Sequence, residues 1–115
     1  RHPGVARQLL PTDQQAADDP AQRRAKVWAT VHSLLADELV KRGEYQEAWE
    51  TYIDGLKLVP ENPYLMMGLG KLYLMHKQYD PAIDLLRQAV AKHPEKDKPR
   101  ALLDKALNAK LDLKI

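Results

Sequence analysis

Residues 29–60 read ATVHSLLADELVKRGEYQEAWETYIDGLKLVP, and residues 63–94 read PYLMMGLGKLYLMHKQYDPAIDLLRQAVAKHP. Sliding the first onto the second by 34 positions superposes Leu35 on Leu69, Tyr45 on Tyr79, Ala48 on Ala82 and Pro60 on Pro94. The exchanges between them keep size and polarity: Ala36 over Gly70, Leu39 over Tyr73, Gly55 over Ala89, Leu56 over Val90. A period in this range marks a stacked array rather than a closed globule. Stacked helical pairs build binding surfaces and seldom active sites, so the repeat directs expectation toward recognition.

Working outward, Asp19 before Pro20 reads as a helix start, a carboxylate capping free N–H groups ahead of a proline suited to the first turn. Val27, Trp28, Val31, Leu34, Leu35 and Leu39 then recur at three- and four-residue spacing, which predicts one buried face on a long first helix over about residues 20–42. Gly43 supplies a left-handed stop, and a second helix carries Ala48, Trp49, Tyr52, Ile53 and Leu56 up to Pro60. Asn62 with Pro63 opens a third helix through Leu65, Met66, Leu69, Leu72 and Tyr73. Asp80 with Pro81 repeats the signal for a fourth, carrying Ala82, Ile83, Leu86, Ala89 and Val90. Pro99 begins a fifth amphipathic segment with Leu102, Leu103, Ala106, Leu107 and Leu111. No run has strand-like alternation, so the chain reads as all-α.

These residues resemble the tetratricopeptide repeat, a 34-residue helix-turn-helix unit with small residues where its helices touch and a closing proline. In the first unit the likeness rests on Leu35, Ala36, Leu39, Gly43, Tyr45, Ala48, Tyr52, Gly55, Leu56 and Pro60. In the second it rests on Leu69, Gly70, Tyr73, Tyr79, Ala82, Leu86, Ala89, Val90 and Pro94. The resemblance implies a right-handed superhelical stack of antiparallel helix pairs: two repeats over about 29–62 and 63–96, an extended first helix, and a capping helix over about 98–112. Residues 1–18 are expected to form a flexible arm beside a helical domain over 19–115. Two departures stand out. His32 replaces a large apolar residue and weakens local packing, and Lys77 stands where the first unit has Gly43, which is expected to change the turn. Because an array wants about three repeats, both end helices must contribute, with Trp28 as the anchor covering the N-terminal end.

In this family the first helix of each pair lines a concave face that accepts an extended peptide or a helix. Projected onto this sequence, that face takes Thr30, Ser33, Asp37, Val40 and Lys41 from the first unit. The second contributes Tyr64, Met67, Lys71, Leu74 and Met75, and the terminal helix Lys98, Ala101, Lys105 and Asn108. The result is an apolar, methionine-rich centre beside a line of three lysines, Lys71, Lys98 and Lys105. Methionine adapts to varied shapes and suits such a groove, although at least one of Met66, Met67 and Met75 is expected to be structural. Chaperone adaptors of the family hold a C-terminal carboxylate with a clamp of lysines, arginine and asparagines. Leu34, Asp37 and Gly68 occupy that part of the face, so chaperone-tail binding is not expected, while the lysines still attract an acidic segment.

Other function classes find little support in the 115 residues. Hydrophobic residues make up 44% and charged residues 30%, the balance of an ordinary globular domain. The net charge of +2 is too small and dispersed to argue for nucleic acid. The concave Met67 and Leu74 also stand where base-reading polar side chains would be wanted. No stretch approaches the ~20 apolar residues that cross a bilayer, so no direct membrane insertion is expected. The chain opens on Arg1 rather than Met, so a processed or excised form is expected and the compartment stays open, cytoplasmic or extracytoplasmic. Zero cysteines exclude a disulfide framework and a zinc-thiolate site. The lone Ser33 adjoins His32, but neighbours on a helix point about 100° apart and cannot form a nucleophile-base pair. His2, His32, His76 and His93 lack metal-ligand spacing, and no glycine-rich phosphate loop exists. The expectation is therefore a non-enzyme without cofactor, an adaptor, scaffold or assembly factor binding a peptide or helix of a partner. The alternative is a scaffold that self-associates through its repeat ends or through the arm, whose Val5, Leu9 and Leu10 form an apolar cluster able to fill a groove.

Overall fold

The computed structural model describes residues 19–114, and the expected arm over 1–18 lies outside them. Among the described residues there are five helices and no strand: α1 (Pro20–Lys41), α2 (Tyr45–Leu58), α3 (Pro63–Met75), α4 (Tyr79–Lys92) and α5 (Asp97–Lys114). Asp19 caps α1 by accepting from the Ala21 N–H at 3.3 Å, and Asn62 caps α3 by accepting from Tyr64 and Leu65 at 3.0 and 3.1 Å. The third expected cap differs. α4 begins at Tyr79 with Gln78 at the cap position and no side-chain bond there, so Asp80 and Pro81 lie inside the first turn. Asp80 instead accepts from the Lys110 ammonium, tying α4 to α5.

Small residues decide how the layers meet. Ala29 and Ala36 on α1, Ala48 on α2, and Ala82 and Ala89 on α4 are fully buried, each marking a place where two helices pass closely. A Cβ on Gly55 would lie 2.9 Å from both Leu65 methyls, and one on Gly70 would lie 2.8 Å from a Leu86 methyl. Around these contacts one cluster gathers Tyr52, Leu65, Leu69 and Leu72, and a second gathers Ile83, Leu86 and Ala106 with Leu102, Leu103 and Leu107. α5 thus closes the far end of the stack.

α1 departs from its expected packing. It turns Ala29, Ser33 and Ala36 inward, whereas Val27, Trp28, Val31, Leu34 and Leu35 are exposed and only Leu39 is half-buried. Trp28, 56% exposed, does not anchor the N-terminal end. The periodicity of the large residues is real, but the layer they would pack against is missing among the described residues. Lys77 is a second correction: at φ 61° it takes the left-handed conformation of Gly43 at φ 77° and leaves the turn unchanged. His32 packs its Cβ toward Gly55, and its ring Nδ1 bonds the Trp28 carbonyl at 2.6 Å.

Candidate functional site

The first helices of the two units and α5 enclose a groove of about 600 Å³. Its lining follows the repeat. Thr30, Tyr64 and Lys98 occupy one position on three helices, 34 residues apart; Ser33, Met67 and Ala101 occupy the next; Leu34, Gly68 and Leu102 the next; Asp37 and Lys71 complete it. α5 therefore presents the same face as α1 and α3.

Of the fourteen expected positions the groove gathers Thr30, Ser33, Asp37, Tyr64, Met67, Lys71, Lys98 and Ala101. Val40, Lys41, Leu74, Met75, Lys105 and Asn108 fall outside it. They sit a turn further along each helix, where Val40 and Leu74 are half-buried against the two core clusters. The lysine line accordingly shortens to Lys71 and Lys98. Leu34 and Gly68, which the sequence already places on this face, line it with Leu102, which the 34-residue shift applied to Gly68 would have found.

The floor is built by one contact that crosses three helices. Tyr52 on α2 donates its hydroxyl to Asp37 on α1, and its ring lies against α3 at Gly68, where an added Cβ would approach within 2.5 Å. Burial first, then the bond to Asp37 and that carboxylate's charge, push the Tyr52 phenol well above its ordinary pKa. Met67 is buried, Ser33 is the buried polar side chain among the described residues, and Thr30 turns its hydroxyl back onto the Lys26 carbonyl at 3.0 Å. At the rim Tyr64 is exposed and carries the Lys96 ammonium 5.3 Å from its ring centroid. Lys71 and Lys98 are exposed cations on a mostly apolar wall that includes Leu34 and Leu102. Such an arrangement can bind carboxylates and apolar side chains together.

A second cavity of about 520 Å³ opens between α2, α3 and α4, lined by Tyr45, Trp49, Tyr73, His76 and Pro81. Within it the Trp49 indole N–H donates to the Tyr73 hydroxyl at 3.0 Å, and Tyr45 meets His76 edge-on at 4.7 Å. The Trp49 and Tyr73 polar groups are thus already engaged with one another. Among the described residues no group of three His, Cys, Asp or Glu is placed to hold a metal, and no helix is long and apolar enough to cross a membrane.

A family model described as tetratricopeptide repeat matches residues 33–97. No curated protein matches the chain. Two similar solved structures are the first TPR of Spaghetti (RPAP3) bound to the HSP90 peptide SRMEEVD and the first TPR domain of the human RPAP3 protein. Each is 26% identical over 76% of this chain, with a TM-score of 0.70, and the match spans 69% and 68% of those chains respectively.

Proposed function

The chain belongs to the tetratricopeptide-repeat family, and on that footing we propose that it is a non-catalytic protein-interaction module whose groove holds an acidic, partly apolar segment of a protein partner. The observation that carries this reading is the pairing of Lys71 and Lys98 with the Leu34, Met67 and Leu102 wall. Two ammonium groups favour carboxylates, and the apolar wall and buried methionine favour one or two large side chains between them. The peptide held by the RPAP3 domain, SRMEEVD, has that mixed composition. Leu34, Asp37 and Gly68 offer no donors for a terminal carboxylate, and Asp37 adds a negative charge to the floor. Recognition of an internal acidic stretch follows, in place of a grip on a chain terminus.

Fluorescence anisotropy with labelled SRMEEVD, as free acid and as C-terminal amide, tests the reading. The two forms should bind alike, and Lys71→Glu with Lys98→Glu should weaken both about tenfold or more, since each reversal removes an attraction and adds a repulsion. A strong preference for the free acid would sink the internal-segment reading, and binding indifferent to both lysines would sink the groove.

A further inference from the structure

The exposed face of α1 is built to meet a helix. With about 100° per residue, Val27, Val31, Leu34, Leu35 and Trp28 fall on one side, roughly opposite the buried Ala29, Ser33 and Ala36. The repeat shows what such positions are for. Val31 and Leu35 correspond to Leu65 and Leu69 at the 34-residue shift. Leu65 and Leu69 are 0% and 2% exposed because α2 packs beside α3, while Val31 and Leu35 are 43% and 51% exposed. Val27 and Trp28 extend the same stripe toward the start of α1. An apolar helix face of this size points to an interaction site.

The charges at its ends choose the occupant. We infer that the α1 face binds the α1 face of a second copy, antiparallel, about a two-fold axis at Val31. In that register each residue meets the one equally far on the other side of Val31. Val27 therefore meets Leu35, Trp28 meets Leu34, and Arg24 of each copy meets Glu38 of the other. The stripe from Arg24 to Glu38 spans about 21 Å of helix. All of it lies on one face, in the pattern of a helix that packs along its length. An isologous interface requires such self-complementarity, a basic end facing an acidic one around an apolar middle. Among the described residues Glu38 makes one exposed contact, to Arg42 at 3.4 Å, and that contact leaves it open to a second cation. The two sites share Leu34 at their border, but the inference does not depend on the peptide reading of the groove, since neither Val31 nor the charged pair lines it.

Light scattering on the eluting peak, over a wide range of concentration, reads the result directly. The full chain should move from monomer to dimer mass and no further, because a two-fold contact closes on itself. Val31→Glu should remain helical and monomeric, the residue being part-exposed in the monomer. Arg24→Glu and Glu38→Arg, both at exposed positions that leave the fold intact, should each weaken the dimer about tenfold or more. The double variant, which restores the opposite charges across the axis, should recover it. Val31→Cys adds the sole cysteine to a cysteine-free chain, and oxidation should link it into a dimer at the axis. A chain that stays monomeric throughout would overturn the inference, as would a dimer that Val31→Glu leaves intact. Failure of the double charge reversal to restore association would reject the register. In every case Lys71→Glu with Lys98→Glu should leave the mass unchanged, which separates this face from the groove.

Discussion

Gly43 and Lys77, one repeat apart, close their turns with the same pair of backbone bonds. Gly43 and Lys77 donate to the carbonyls of Val40 and Leu74 at 3.0 Å each, and the next residues reach back to Leu39 and Tyr73 at 2.9 and 2.8 Å. Both residues are left-handed, at φ 77° and 61°. Glycine adopts that conformation freely, whereas a side chain there costs about 1 kcal/mol or more. The same two turn bonds hold Lys77, itself exposed, in that conformation against its own preference.

Lys77→Gly should therefore stabilise the protein by roughly 1 kcal/mol, seen as a rise in Tm of several degrees. Gly43→Ala should do the reverse by a similar amount, although a Cβ there meets nothing within 4 Å. Paired thermal melts check both, and a Lys77→Gly protein that melts lower would reject the strain argument.

Gly68→Ala sets two effects against each other. Helix propensity alone favours alanine by about 1 kcal/mol. The new Cβ, however, would lie 2.5 Å from Tyr52 Cε1 and 2.7 Å from Cζ, displacing a ring held by packing and by the bond to Asp37. Overpacking of this kind costs about 1–3 kcal/mol, so the net effect should be destabilising. Urea denaturation gives the sign.

Tyr52 also predicts a pH dependence. Its folded pKa lies above the unfolded value of about 10, so both states are protonated below that pH and the contribution is complete there. As pH rises past 10 the unfolded chain releases the proton while the folded protein retains it. Stability should then fall by up to about 1.4 kcal/mol per pH unit. Tyr52→Phe should flatten this alkaline slope in equilibrium unfolding, and ultraviolet titration should find one of the five tyrosines ionising late.

Ala82→Leu should unfold or loosen the second unit, because Ala82 is fully buried in α4. A loss of about 1–3 kcal/mol or more is expected, read by chemical denaturation, with Ala48→Leu behaving alike in the first unit. Equal stability to wild type would mean that these alanines do not set the helix spacing.

The repeat made the helices, turns and small-residue contacts legible, because each is a local demand on residue type: a cap, a left-handed stop, a missing side chain. Half of the groove's logic was legible too, since Thr30, Tyr64 and Lys98 carry the 34-residue register into α5. What the pattern could not tell was which neighbour a face meets. Val31 and Leu65 have the same spacing and similar chemistry, yet among the described residues only Leu65 has a helix in front of it. Periodicity reports that a side chain wants cover and is silent on who provides it. The same holds for Val40 and Leu74, whose place on the helix puts them against the core clusters and out of the groove.

The two tryptophans occupy complementary surroundings, and together they make the chain its own spectroscopic instrument. Trp28 stands 56% exposed on the outer face of α1, so its emission should be solvent-like and open to quenchers until that face is covered. Trp49 is tied by its indole N–H to Tyr73 in the neighbouring unit, so its signal should change only when the two units part. A blue shift from Trp28 at constant Trp49 emission would report association in a folded protein. Loss of the Trp49 environment would report unfolding, with no label attached to either event.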